Sequence, residues 1–100
     1  MDMNHLAVDV FQWAESVFPD RTDASMFLKM YKEMGELAEA ETREEQEDEI
    51  ADVLIMLLDF AKRKGVNPSL AVQRKLAINR TRQWRVTATG VMQHVKPGQE

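Results

Sequence analysis

The sequence predicts an all-α fold: four helices joined by short connections. Three observations carry this. Apolar residues recur with a period near 3.6 along most of the 100 residues, and no segment shows the strict alternation of a half-buried strand. The third observation is punctuation, since "FPDRTD", "TREEQED" and "GVNPS" set turn formers and helix caps between the periodic stretches.

The first helix is expected from Asn4 to Phe18, with Leu6, Val10, Trp13 and Val17 on one side, and Pro19 stops it. Asp23 reads as the N-cap of a second helix reaching Thr42, whose apolar stripe is Phe27, Met30, Tyr31, Met34, Leu37 and Ala38. The third runs from Glu45 to Lys64 and closes on Gly65. Asn67 then caps, and Pro68 opens, a fourth helix that reaches Arg85. Residues 1–85 form the expected domain. Residues 86–100, "VTATGVMQHVKPGQE", have no firm period and read as a tail that is loose or bound to a partner.

Composition narrows the class. With 44% hydrophobic and 30% charged residues the chain suits one globular domain. A net charge of −4 gives the whole molecule no attraction to nucleic acid or an anionic membrane. The absence of cysteine removes disulfides and thiolate zinc sites. No apolar run reaches the ~18 residues of a membrane span, and the N-terminus lacks the layout of a secretory signal. A cytoplasmic protein with neither nucleic-acid nor membrane partner is the expectation.

The third helix departs from the pattern of a bundle helix with one wet face. From Ile50 to Ala61 its apolar residues point in nearly every direction, and so small a domain cannot easily surround it. A homodimer or homotetramer is therefore expected to complete the bundle.

Carboxylates interrupt this apolar helix. On a helical wheel Glu45, Glu49, Asp52 and Asp59 share a sector of roughly 80°. Glu49 and Asp52 are three apart, as are Glu33 and Glu36 on the second helix, so antiparallel packing would bring the two pairs together. Such carboxylates also describe a solvated acidic face. A buried one, however, costs several kcal/mol unless paired or bound to metal. An all-oxygen set without His or Cys suits Mg²⁺ or Mn²⁺. A di-iron carboxylate site would need Glu-x-x-His, and neither His5 nor His94 has Glu three residues before it. Lys75, Asn79 and Arg82, spaced i, i+4, i+7, fall on one stripe of the fourth helix, thickened by Arg74, Arg80 and Arg85. That stripe is either a solvated basic face or a phosphate contact, and Lys29, one turn before Glu33, is another candidate. Trp13 alone reads first as core, and Met26, Met30 and Met34 as adaptable core.

"KMYKEMGELAEA" followed by "EIADVLIMLL" resembles the MazG-type all-α nucleoside triphosphate pyrophosphohydrolases, whose hallmark is Glu-Glu-x-x-Glu and then Glu-x-x-Asp on the next helix. "KLAINRTRQW" looks like the Lys/Asn/Arg segment closing that domain, so the resemblance spans about Asp20 to Trp84. It departs at Lys32, which stands where the family commonly has its first Glu. The resemblance implies a MazG-like bundle completed by oligomerisation, with Glu33, Glu36, Glu49 and Asp52 holding two or more Mg²⁺ (or Mn²⁺) ions and Glu36 or Glu33 as base. It implies Lys29, Lys75, Asn79 and Arg82 on the nucleotide's phosphates or sugar, and Gln12 and Trp13 at the nucleobase. The implied reaction is hydrolysis of a (deoxy)nucleoside triphosphate, dGTP first and dATP next, to monophosphate and pyrophosphate, in control of the nucleotide pool. The competing reading is a non-catalytic helical oligomer, a regulator or adaptor acting through its acidic stripe.

Overall fold

A computed structural model of the chain describes residues 1–96 and 98. Four helices and a short hairpin follow one another: α1 (Met3–Val17), α2 (Asp23–Glu39), α3 (Arg43–Arg63), α4 (Pro68–Arg80), β1 (Gln83–Val86) and β2 (Met92–Val95). The chain divides into two compact units, Met1–Ser69 and Leu70–Glu100.

In the first unit each helix is capped by chemistry local to it. The Asp2 side chain accepts from His5 N–H at the start of α1. Thr22, not Asp23, is the N-cap of α2: it accepts from Ser25 N–H while the Ser25 hydroxyl accepts from Thr22 N–H, a reciprocal capping box. Asp23 is thereby released to pair with Arg63 and Lys64 at the far end of α3. Thr42, expected as the end of α2, instead caps α3, and Glu44 and Glu45 sit in its first turn, where the helix dipole favours negative charge. Gly65 closes α3 as expected. Its φ of 69° lets Val66 N–H reach Ala61 C=O and Gly65 N–H reach Lys62 C=O, a Schellman closure.

Helix α3 packs against both α1 and α2. Contacts of Asp23 with Arg63 and of Phe27 with Phe60 fix α2 and α3 as antiparallel. The core is small: Ala7, Ala14, Met26 and Met30 are its buried apolar residues. Ile50, Leu54 and Leu57 of α3 stay about half exposed within one chain. No helix among the described residues is long and apolar enough to cross a membrane.

In the second unit α4 ends at Arg80, five residues before its expected end, with the Thr81 hydroxyl bonded back to Ile78 C=O. The chain then forms an antiparallel hairpin in which Trp84 faces His94 and Arg85 faces Gln93. The four-helix, all-α fold is as expected, and the hairpin is a short addition that follows it. Each strand has only four residues, too few for alternation to emerge from the sequence. The turn is set by Gly90 (φ 83°) and by Thr87 N–H bonded to Val91 C=O, and Trp84 Nε1–H anchors the hairpin to Asn79 C=O at 2.9 Å. Pro97, Gln99 and Glu100 of the expected tail lie outside the described residues.

Candidate active site

Antiparallel packing of α2 on α3 brings carboxylates from both helices together, as the i, i+3 spacing requires. Oxygens of Glu33, Glu36 and Glu49 lie within 4.8 Å of one another. Glu33 is only 4% exposed, and its Oε2, like that of Glu49, is buried without a hydrogen-bond partner among the described residues. Its Oε1 accepts from Lys29 Nζ at 2.7 Å, one turn earlier on α2. Asp52 is not in this tight group. It lines the same cavity as Glu33, and its charge reaches both Lys29 and Glu49.

The electrostatics follow from this crowding. The Lys29 ammonium holds the Glu33 carboxyl below the usual glutamate value, and Glu33 in turn raises Lys29. Burial pushes the Glu49 pKa up, helped by the closeness of the Glu33 carboxyl and the charges of Glu36 and Asp52. Two buried oxygens without donors, in a set made only of carboxylates, are the donor set that hard divalent cations select. The residues present fit such ions.

From these carboxylates a cavity of ≈ 1010 Å³ opens between the three helices of the first unit. Its walls are mainly apolar, with Trp13, Val17 and Phe18 from α1 and its end, Met26 from α2, and Ile55 and Met56 from α3. Trp13 is 54% exposed and meets Phe18 edge-on at 5.8 Å, so it forms cavity wall rather than core. Gln12 is exposed and is not among the lining residues. Lys29 lines the cavity.

Lys75, Asn79 and Arg82 belong to the second unit. Asn79 Oδ1 is buried without a partner among the described residues, and burial, helped by the positive charges of Arg82, Lys96 and Lys75, lowers the pKa of His94. Two residues that sequence reasoning did not assign to the site stand out in the cavity, Arg21 and Asp59. Asp59 shares the acidic sector of α3, but nothing in local spacing announces that an arginine from the α1–α2 turn would reach it.

A protein-family model described as dATP/dGTP pyrophosphohydrolase matches residues 7–99. The chain is 39% identical over 95 residues to the dATP/dGTP diphosphohydrolase of Cyanophage S-2L, covering 95% of this chain and 89% of that one. It is 43% identical over 86 residues to the dATP/dGTP diphosphohydrolase of Salmonella phage PMBT28, covering 86% of this chain but spanning only 29% of that protein's length. Among solved structures it is similar to the Cyanophage S-2L MazG-like pyrophosphohydrolase bound to dGDP and three catalytic Mn²⁺ ions per active site. That match has a TM-score of 0.85 at 34% identity and covers 98% of this chain and 97% of that one.

Proposed function

The chain belongs to the dATP/dGTP pyrophosphohydrolase family, and from that premise we propose that it hydrolyses a purine deoxynucleoside triphosphate, dGTP foremost and dATP next, to the monophosphate and pyrophosphate. The observation that carries this is the convergence of Glu33, Glu36 and Glu49, with two orphaned buried oxygens, at a cavity of nucleotide size.

Glu33, Glu36, Glu49 and Asp52 hold the metal. Two or more Mg²⁺ or Mn²⁺ ions there would neutralise the triphosphate against the carboxylates and acidify a bound water. Glu36 is the base. Of the clustered carboxylates, Glu33 already has one oxygen engaged by Lys29, and burial holds the pKa of Glu49 up. Glu36 takes a proton from the attacking water as the water oxygen bonds to the α-phosphorus. The bond from that phosphorus to its bridging oxygen breaks, and pyrophosphate leaves with the electron pair. Lys29, at the cavity wall, keeps its contact with Glu33 and offers its remaining N–H donors to the phosphates. In the second unit Lys75, Asn79 and Arg82 are the proposed contacts for a nucleotide's phosphates or sugar. Trp13 presents an apolar face to the base, with Gln12 at its rim. The enzyme works as a homodimer or homotetramer in the cytoplasm, controlling the nucleotide pool, and the half-exposed apolar residues of α3 are the surface a second copy covers.

Pyrophosphate release from a panel of ribo- and deoxynucleoside triphosphates, with Mg²⁺, Mn²⁺ or EDTA, tests this reading. Metal-dependent release fastest with dGTP and dATP supports it. Release from none of them refutes it.

A further inference from the structure

At the end of the cavity away from the clustered carboxylates sits a polar pair that the hydrolysis itself does not use. Arg21 Nε donates to Asp59 Oδ2 at 2.9 Å and Arg21 Nη2 to Asp59 Oδ1 at 2.8 Å, a bidentate fork whose side chains are 7% and 6% exposed. Arg21 Nη1 meets Glu15 Oε1 at 2.9 Å and Phe18 C=O at 3.2 Å, and the guanidinium lies over the Phe11 ring, 5.4 Å from its centre. The pair is therefore held rigidly from three sides. Both members nevertheless line the cavity.

Their position along α3 is the second observation. Asp59 is seven residues beyond Asp52, two turns further on, or on the order of 10 Å of helix rise. Between them the cavity wall is apolar, with Ile55 and Met56 from α3 and Met26 from α2. A nucleotide whose phosphates meet the carboxylate end places its sugar and ring system over this apolar stretch. The hydrogen-bonding edge of its base then arrives at the far end.

Resting on the proposed purine triphosphate reading, we propose that the Arg21–Asp59 pair reads the base edge and sets the preference for purines. A carboxylate has about four lone-pair positions, and Arg21 occupies two of them. The remaining Nη2 hydrogen of Arg21 is not engaged by these partners. The pair thus offers an acceptor beside a donor. Guanine answers with N1–H to Asp59 and O6 to Arg21. Adenine carries donor and acceptor in the opposite order, and answers with its 6-amino group to Asp59 and N1 to Arg21 in a second seating of the base. The pair accepts each purine in its own seating. The same alternation exists on cytosine and thymine, but their edges lie one ring closer to the sugar and fall short of the pair. Purine choice is then a matter of reach, and tolerance of both purines a matter of pattern.

The test uses base analogues on the wild-type protein and on Asp59→Asn and Arg21→Gln, reading kcat/KM for pyrophosphate release. The wild type should process the triphosphate of 2′-deoxypurine riboside, which lacks the 6-amino donor, at least ~10-fold less efficiently than dATP, as a site built around a hydrogen bond rejects a substrate lacking it. It should process dITP, which lacks only the 2-amino group, as well as dGTP. Both variants should treat dATP and the deoxypurine analogue alike, and their advantage for dATP over dCTP should shrink. A wild type indifferent to loss of the 6-amino group overturns the proposal even where neither variant folds. So do variants that slow every substrate equally while keeping wild-type discrimination, since the pair would then be scaffold only. Failure to hydrolyse any triphosphate would overturn the underlying function, and this reading with it.

Discussion

Glu33 and Glu49 occupy neighbouring positions, yet Lys29 holds the pKa of the first down while burial pushes that of the second up. The raised pKa of Glu49 has a definite sign in linkage. The folded protein binds a proton there more tightly than the unfolded chain, so the metal-free protein loses stability as pH rises from the ordinary glutamate value through Glu49's raised one. Glu49→Gln removes that charge at nearly constant volume and is expected to raise the apparent melting temperature in EDTA at neutral pH, with a flatter pH profile. Metal needs the deprotonated carboxylate, so Mn²⁺ affinity of the wild type should fall as pH drops through the same window. At a hundredfold excess over its dissociation constant the ion should stabilise the wild type by about 2.7 kcal/mol, and Glu49→Gln much less. Thermal melts at several pH values, with EDTA and with Mn²⁺, check both halves. In turnover, Glu36→Gln and Asp52→Asn are each expected to slow the reaction by at least ~10²-fold with circular dichroism unchanged. Near-wild-type rates for both would remove them from the site.

At the scale of elements, the helices and the clustered carboxylates were largely legible because each depends on short-range spacing. Glu33 with Glu36 and Glu49 with Asp52 announce themselves through the i, i+3 rule, and Gly65 and Pro68 punctuate α3 and α4 where expected. Three features were not legible, for physical reasons. The capping of α2 by Thr22 depends on Ser25 answering it, and that choice between Thr22 and Asp23 turns on where Asp23's own partners, Arg63 and Lys64, come to lie. The hairpin of β1 and β2 is too short for periodicity and is held by Trp84 reaching Asn79 C=O. The Arg21–Asp59 fork joins residues 38 apart in sequence. The apolar girdle of α3 makes its own prediction. Leu54 is 51% exposed in a single chain, so Leu54→Lys should leave helicity intact but shift sedimentation towards the monomer, since a charge would enter a closed apolar interface. A wild type that sediments as a monomer at micromolar concentration would contradict it.

Over the whole molecule, charge is divided unevenly. The unit Met1–Ser69 holds sixteen of the seventeen acidic residues, whereas Leu70–Glu100 holds six of the thirteen basic ones and a single acid. A net charge of −4 hides this division. One unit is strongly acidic and the other basic. The central claim is that water adds to the α-phosphorus with help from the Glu33, Glu36, Glu49 and Asp52 cluster. Hydrolysis of dGTP in ¹⁸O-labelled water with Mg²⁺, followed by mass spectrometry of the products, tests it most directly. The account predicts one ¹⁸O in dGMP, none in pyrophosphate, and no turnover in EDTA. Label in the pyrophosphate, products of dGDP and orthophosphate, or undiminished turnover without metal would contradict it.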